Sequence, residues 1–152
     1  MNWQHYKFNQ LDINTLYDIL KLRTDVFVVE QACHYPELDD LDRHPDSLHI
    51  FSYDDDNQLA AYLRCLPPGL VYPDKPAIGR VLTAEHARGK GLGHELIEQG
   101  IQACEQHWPQ CDIKMSAQTH LQSYYNRHNF VSQGESYVED GIPHIDMVRV
   151  KR

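Results

Sequence analysis

The run Arg88-Gly89-Lys90-Gly91-Leu92-Gly93 packs three glycines and two cations into six residues. Glycines at that density let the backbone turn tightly and aim several N–H groups at one anion. Directly after them, Leu92, Leu96, Ile97, Ile101 and Cys104 recur with helical spacing. A helix beginning at the loop adds the positive end of its macrodipole, and Arg88 and Lys90 add formal charge. The chemistry such a loop performs is capture of a phosphate or diphosphate. Two nucleotide motifs fail on their own terms. A Walker loop needs Lys-Ser or Lys-Thr after its glycines, and none follows here. A dinucleotide fingerprint needs G-x-G-x-x-G, but His94 or Leu96 stands where the third glycine belongs.

Other candidate chemistry is weaker. The ten histidines are scattered, none in H-E-x-x-H, and Cys33 and His34 are adjacent rather than spaced as ligands. No metal is expected. Asp54-Asp55-Asp56-Asn57 is acidic like a calcium loop but lacks the EF-hand glycine, and reads as a solvated turn. The stretch from Glu37 to Asp46 is read either as a solvated acidic loop or as a lure for a cationic molecule.

The elements that position the loop follow from pattern. Trp3 to Phe8 reads as an edge strand. A helix with Asp12 or Asn14-Thr15 as its N-cap runs to about Arg23, and Val26 to Val29 continues into a short apolar helix or turn. Residues 33 to 47 form a loop. Leu48 to Tyr53 and Leu59 to Cys65 make a hairpin around the acidic turn. A strand at Ala77 to Thr83 leads to the glycine loop and its helix, which Trp108-Pro109 ends. Asp112 to Ala117 is a buried strand, His120 to His128 a second amphipathic helix, and Phe130 to Val138 and His144 to Val150 two strands around Glu139-Asp140-Gly141. The order is that of a mixed α/β sheet with helices on its faces, in a single domain.

With 14 basic and 22 acidic residues among 152, the net charge is −8. That argues against a nucleic-acid binder, which needs a basic stripe. No apolar run approaches the roughly 18 to 20 residues of a membrane span. The N-terminal residues contain no apolar export signal, so Cys33, Cys65, Cys104 and Cys111 are expected to be free thiols in a cytoplasmic, reducing setting. An exposed C-terminal strand is expected to allow pairing into a homodimer.

Arg88-x-x-Gly91-x-Gly93 resembles the acyl-CoA pyrophosphate loop of the GNAT acetyltransferase superfamily. Three further features agree. The strand Ile78-Gly79-Arg80-Val81-Leu82-Thr83 precedes the loop, the strand Ile113 to Ala117 follows its helix, and Tyr125 to Phe130 resembles the family's Y-x-x-x-G-F helix end, with Asn129 in place of glycine. Asparagine also tolerates a left-handed cap. Phe27-Val28-Val29-Glu30-Gln31, Tyr35-Pro36-Glu37-Leu38-Asp39 and Glu139-Asp140-Gly141-Ile142-Pro143-His144-Ile145 extend the similarity to the ElaA-like branch over nearly the whole chain. The resemblance implies a mixed sheet of about six or seven strands, helices on both faces, and a splayed acyl-CoA cleft. It implies cofactor contacts from Val81, Leu82, Thr83 and Arg88 through Gly93 (Arg88, Gly89, Lys90, Gly91, Leu92, Gly93).

The implied reaction is acetyl transfer from acetyl-CoA to a primary amine by direct attack in a ternary complex. The amine must be neutral, the oxyanion needs donors, and the departing thiolate benefits from a proton. A backbone N–H at Val81 or Leu82 is the expected oxyanion donor, and Tyr125 the general acid. Base or acceptor contacts are sought among Glu30, expected to be partly buried with a raised pKa, His144, Asp39 and Asp140. Arg80, a cation in an apolar strand, is expected to pair with an acidic group near the acceptor pocket or to lie exposed. The alternative is a catalytically silent CoA or acyl-CoA binding module.

Overall fold

The computed structural model describes residues Met1–Arg152. Strand β1 (Asn2–Lys7) precedes helix α1 (Ile13–Arg23), whose N-cap Asp12 accepts from the Thr15 amide at 2.7 Å. The helix passes without a break into a π-helical segment, Thr24–Glu30. Strands β2 (Leu48–Tyr53), β3 (Leu59–Leu66) and β4 (Ala77–Thr83) follow, then α2 (Leu92–His107), β5 (Ile113–Gln118), α3 (Gln122–Asn126), β6 (Val131–Glu139) and β7 (Ile142–Arg149). They form one seven-stranded sheet in the order β1-β2-β3-β4-β5-β7-β6. The C-terminal strand β7 therefore lies between β5 and β6. The pairing route expected from an exposed C-terminal strand is corrected: both edges of β7 are taken, and β6 is the edge strand.

Strand alternation divides the core between the two faces. Ala61, Leu63 and Cys65 of β3 meet Leu96, Ile97 and Ile101 of α2 on one face. Tyr62 joins Ile19 of α1, Val26, Phe51 and Leu82 on the other. A Cβ at Gly100 would come within 2.8 Å of Leu63 Cδ2, so the glycine lets α2 lie close on β3. All four cysteines are unpaired thiols. No helix is long and apolar enough to cross a membrane.

Two departures from regularity make the site. β4 and β5 are parallel neighbours but pair only at Ala77 and Lys114, and beyond that point they diverge. In β4 the register against β3 breaks between Tyr62 and Arg64, where Arg80 sits at φ +52°. A bulge there bends the strand away from β5.

Candidate active site

The divergence of β4 and β5 opens a cavity of about 400 Å³. Its floor is β4 and β5. One wall is the segment after the π-helical turn, including Tyr35 and Asp39, and the other is the β6–β7 turn with Asp140 and His144. The Cys33 thiol donates to the Asp140 carbonyl at 3.1 Å and ties the two walls together. Asp140 and Gly141 both have positive φ, which a two-residue hairpin turn requires.

Register decides which backbone groups face the gap. The Ala84 amide bonds to Ala60 of β3, and Leu82 stands opposite Tyr62. By alternation, the peptide groups of Leu82 point to β3 and those of Val81 and Thr83 point into the gap. The Thr83 carbonyl indeed accepts from Arg88 Nε at 3.2 Å rather than from β3. Of the two expected oxyanion donors, the register favours Val81. The Leu82 side chain is buried beside Tyr62, and that of Leu92 is buried under α2. Leu92 has only its amide to offer a ligand.

The gap leads to the mouth of α2. Gly89 and Gly91 adopt φ +84° and +77°, a left-handed backbone that other residues resist. The consecutive amides of residues 89 to 93 find no acceptor in the chain. Acceptor-free N–H groups in a row, on an exposed loop that enters a helix N-terminus, form an anion cradle.

The Arg88 guanidinium stands beside this cradle, in a bidentate pair with Glu30 at 2.7 and 2.9 Å. This corrects the expectation for Glu30. The Arg88 hydrogen bonds outweigh its slight burial and hold its carboxyl below the ordinary value, so it is a poor base.

Tyr125 faces the cavity, its ring packed edge-on to Tyr124 and Phe130. Burial, with a smaller contribution from Tyr124, pushes its pKa well up, so the phenol keeps its proton at neutral pH. Asn129 closes α3 at φ +67°, and the Phe130 amide reaches back to the Tyr125 carbonyl at 3.3 Å. That is the left-handed cap expected from asparagine.

His144 Nδ1 lies 2.7 Å from the Ile142 carbonyl. A carbonyl only accepts, so Nδ1 carries the proton and Nε2 is the basic nitrogen when the ring is neutral. Glu139 lies 3.9 Å from that Nε2, and the Tyr137 ring stacks on the imidazole.

The acidic loop differs from both readings of its sequence. Glu37, Asp39 and Asp42 are neither a solvated face nor a lure. They neutralise Arg23, Arg64 and Arg80 in a six-residue network. Arg80 does pair with acidic groups at the pocket: its Nε is 2.5 Å from Glu37, its Nη2 is 3.4 Å from Asp39, and Tyr35 lies against its guanidinium. Burial pushes Asp39 up, but hydrogen bonds and charge from Arg64, with the Arg80 charge, hold it below its ordinary value. Asp39 is thus a wall residue and no base. Arg64 was missed, although a cation inside the apolar run Leu59–Leu66 is the same signal that marked Arg80. Tyr35, Tyr72 and Ser116 also line the cavity and carry no distinctive spacing.

Residues 28–151 match the acetyltransferase (GNAT) domain family. Protein ElaA of Escherichia coli is 39% identical over 149 residues, covering 98% of this chain and 96% of ElaA. The crystal structure of E. coli ElaA superposes with a TM-score of 0.91, covering 99% of this chain and all of that one. The structure of an acyl-CoA N-acyltransferase from Pseudomonas aeruginosa is 46% identical, with a TM-score of 0.92 over 98% of this chain and 99% of that one. An aminoglycoside 6'-N-acetyltransferase complexed with coenzyme A matches at a TM-score of 0.74 over all of this chain and 99% of that one. At 11% identity, that likeness shows the fold alone.

Proposed function

The chain belongs to the GNAT acetyltransferase family, in its ElaA-like branch, and on that premise we propose that it transfers an acetyl group from acetyl-CoA to a primary amine. The observation that carries this reading is the row of acceptor-free amides at 89–93, continuous with the Val81 and Thr83 edge of a splayed strand. A diphosphate fits the amides, and an extended amide-bearing arm fits the strand edge. Acetyl-CoA supplies an acetyl group activated as a thioester.

The protein's groups do the rest. The Val81 N–H donates to the carbonyl oxygen as negative charge develops there. His144 Nε2 takes the ammonium proton, directly or through water, and Glu139 steadies the resulting imidazolium. Tyr125 gives its proton to the departing sulfur as the C–S bond breaks, and the second proton shed by the newly acylated nitrogen restores the phenol through solvent. Two carboxylates face the cavity without an arginine partner, Glu139 and Asp140, and they favour a cationic amine. Across the cavity, Asp39 is held by Arg64 and Arg80 on the floor is held by Glu37, so neither is free for the acceptor. The unpaired thiols support residence in a reducing compartment, the cytoplasm.

The direct experiment is thiol release from acetyl-CoA by the purified protein, across a panel of primary amines including diamines and lysine. Turnover with at least one amine is expected. Saturable CoA binding with no turnover on any of them would favour the silent binding module. Two variants sharpen the roles. Arg88→Glu should weaken CoA binding at least tenfold by titration calorimetry, because it reverses the charge at the cradle. Its Tm should change little, since the Arg88–Glu30 pair is exposed. His144→Gln should lower kcat about a hundredfold and leave the KM for acetyl-CoA near its original value. A kcat within a factor of three would remove His144 from the base role.

A further inference from the structure

His94, His128 and Glu98 form a hydrogen-bonded chain beside the glycine loop that acyl transfer does not use. His128 Nδ1 lies 2.6 Å from Glu98 Oε1, and His128 Nε2 lies 2.8 Å from His94 Nδ1. The carboxylate only accepts, so His128 Nδ1 is the donor there. In the uncharged chain, His128 Nε2 then accepts from His94 Nδ1–H, and His94 Nε2 carries a lone pair. The His128 side chain is 7% exposed while Glu98 is 54% exposed, so the relay runs through a buried ring.

Location gives this chain its meaning. His94 is the third residue of α2, where side chains lean toward the helix N-terminus. Its ring stacks on Tyr124 with centroids 4.2 Å apart. The Tyr124 hydroxyl fills the space that a Cβ at Gly93 would need. The imidazole and the phenol therefore flank the last amide of the cradle.

The groups facing His94 are Arg127 and His128 from the segment after α3 and Tyr124 from α3, with Glu98 of its own helix reached through His128. Burial, then Arg127 and His128, hold the His94 pKa below the ordinary histidine value in the free protein. A diphosphate in the cradle reverses that balance by placing negative charge at the mouth of α2.

We propose that His94 is a further diphosphate-binding residue that takes up a proton from solvent at Nε2 as the ligand binds, oriented for this by the His128–Glu98 pair. The protonated ring keeps Nδ1–H on His128 and offers Nε2–H to a phosphate oxygen. This rests on the assignment of residues 88 to 93 as the CoA loop. The sign of the linkage follows. Binding raises the His94 pKa, so the extra affinity is present at low pH and fades as pH rises through the pKa of the complex.

The test is calorimetric titration with 3'-dephospho-CoA between about pH 6 and pH 8, in buffers of different ionisation enthalpy. That ligand keeps the diphosphate and lacks the 3'-phosphate, whose second ionisation near pH 6 would confuse the result. The expected result for the unaltered protein is net proton uptake and an affinity that falls about tenfold across the range. His94→Gln should abolish both the uptake and the slope. Glu98→Gln, at an exposed position, should reduce both without disturbing the fold. Binding with no proton uptake, or an unchanged slope in His94→Gln, would overturn the inference and leave the loop assignment standing. No binding at any pH would remove both.

Discussion

Arg23→Met should destabilise the protein by about 3–5 kcal/mol, the scale for orphaning a buried charge network. The Arg23 side chain is fully buried, and its guanidinium is shared between Glu37 at 2.8 Å and Asp42 at 2.7 Å. Methionine fills similar volume but leaves two buried carboxylates short of a cation. The measurement is the urea midpoint with its slope. A loss under about 1 kcal/mol would mean that water or Arg64 compensates. The same network sets an acid limit. Burial opposes ionisation of Asp42, but hydrogen bonds and charge from Arg23 and Arg64 hold its carboxyl below the ordinary value. Its folded pKa is depressed, so its contribution is present above the unfolded carboxylate pKa of about 3.9 and is lost as pH falls through the folded value. Arg23→Met should therefore also flatten the stability profile below about pH 4. The network matters to function because Arg80 on the floor of the cavity and Asp39 on its wall both belong to it.

The second large effect is on rate. Tyr125→Phe should lower kcat by about a hundredfold or more while the KM for acetyl-CoA stays within a factor of about three. The ring packing on Phe130 survives the change, so the urea midpoint should hold. If kcat is unaltered, the thiolate leaves without help from this phenol. A neighbouring control, Tyr124→Phe, removes a hydroxyl that sits against Gly93 rather than one facing the cavity. It should act on CoA affinity before it acts on kcat.

The periodic elements were legible because local pattern and tertiary packing agree. The stripe from Leu92 to Cys104 packs on β3, and β4 runs over Ala77–Thr83 as its apolar residues require. The glycine loop was legible because left-handed backbone at Gly89 and Gly91 can be read from residue type. The acidic loop was not. Arg23 reads as an ordinary cation in the last turn of a helix, and only the tertiary fold brings Glu37 and Asp42 to it, 14 and 19 residues on. For the same reason Glu30 looked like a buried base. Nothing in its neighbours along the chain announces Arg88, 58 residues away. The tautomer of His144 needed the turn geometry that brings the Ile142 carbonyl to Nδ1. Charge partners distant in sequence are what a single chain's pattern conceals, and they decide which carboxylate can be a base.

We propose that the cleft and loop hold acetyl-CoA. The most direct test is thermal unfolding of the purified protein with acetyl-CoA, set against ATP and NAD. A ligand at about 100 times its Kd adds roughly 2.7 kcal/mol, which raises the Tm of a chain this size by roughly 5 to 10 °C. That rise is expected with acetyl-CoA and not with ATP or NAD at equal concentration. An unchanged Tm at saturating acetyl-CoA, or an equal rise with ATP, would contradict the assignment.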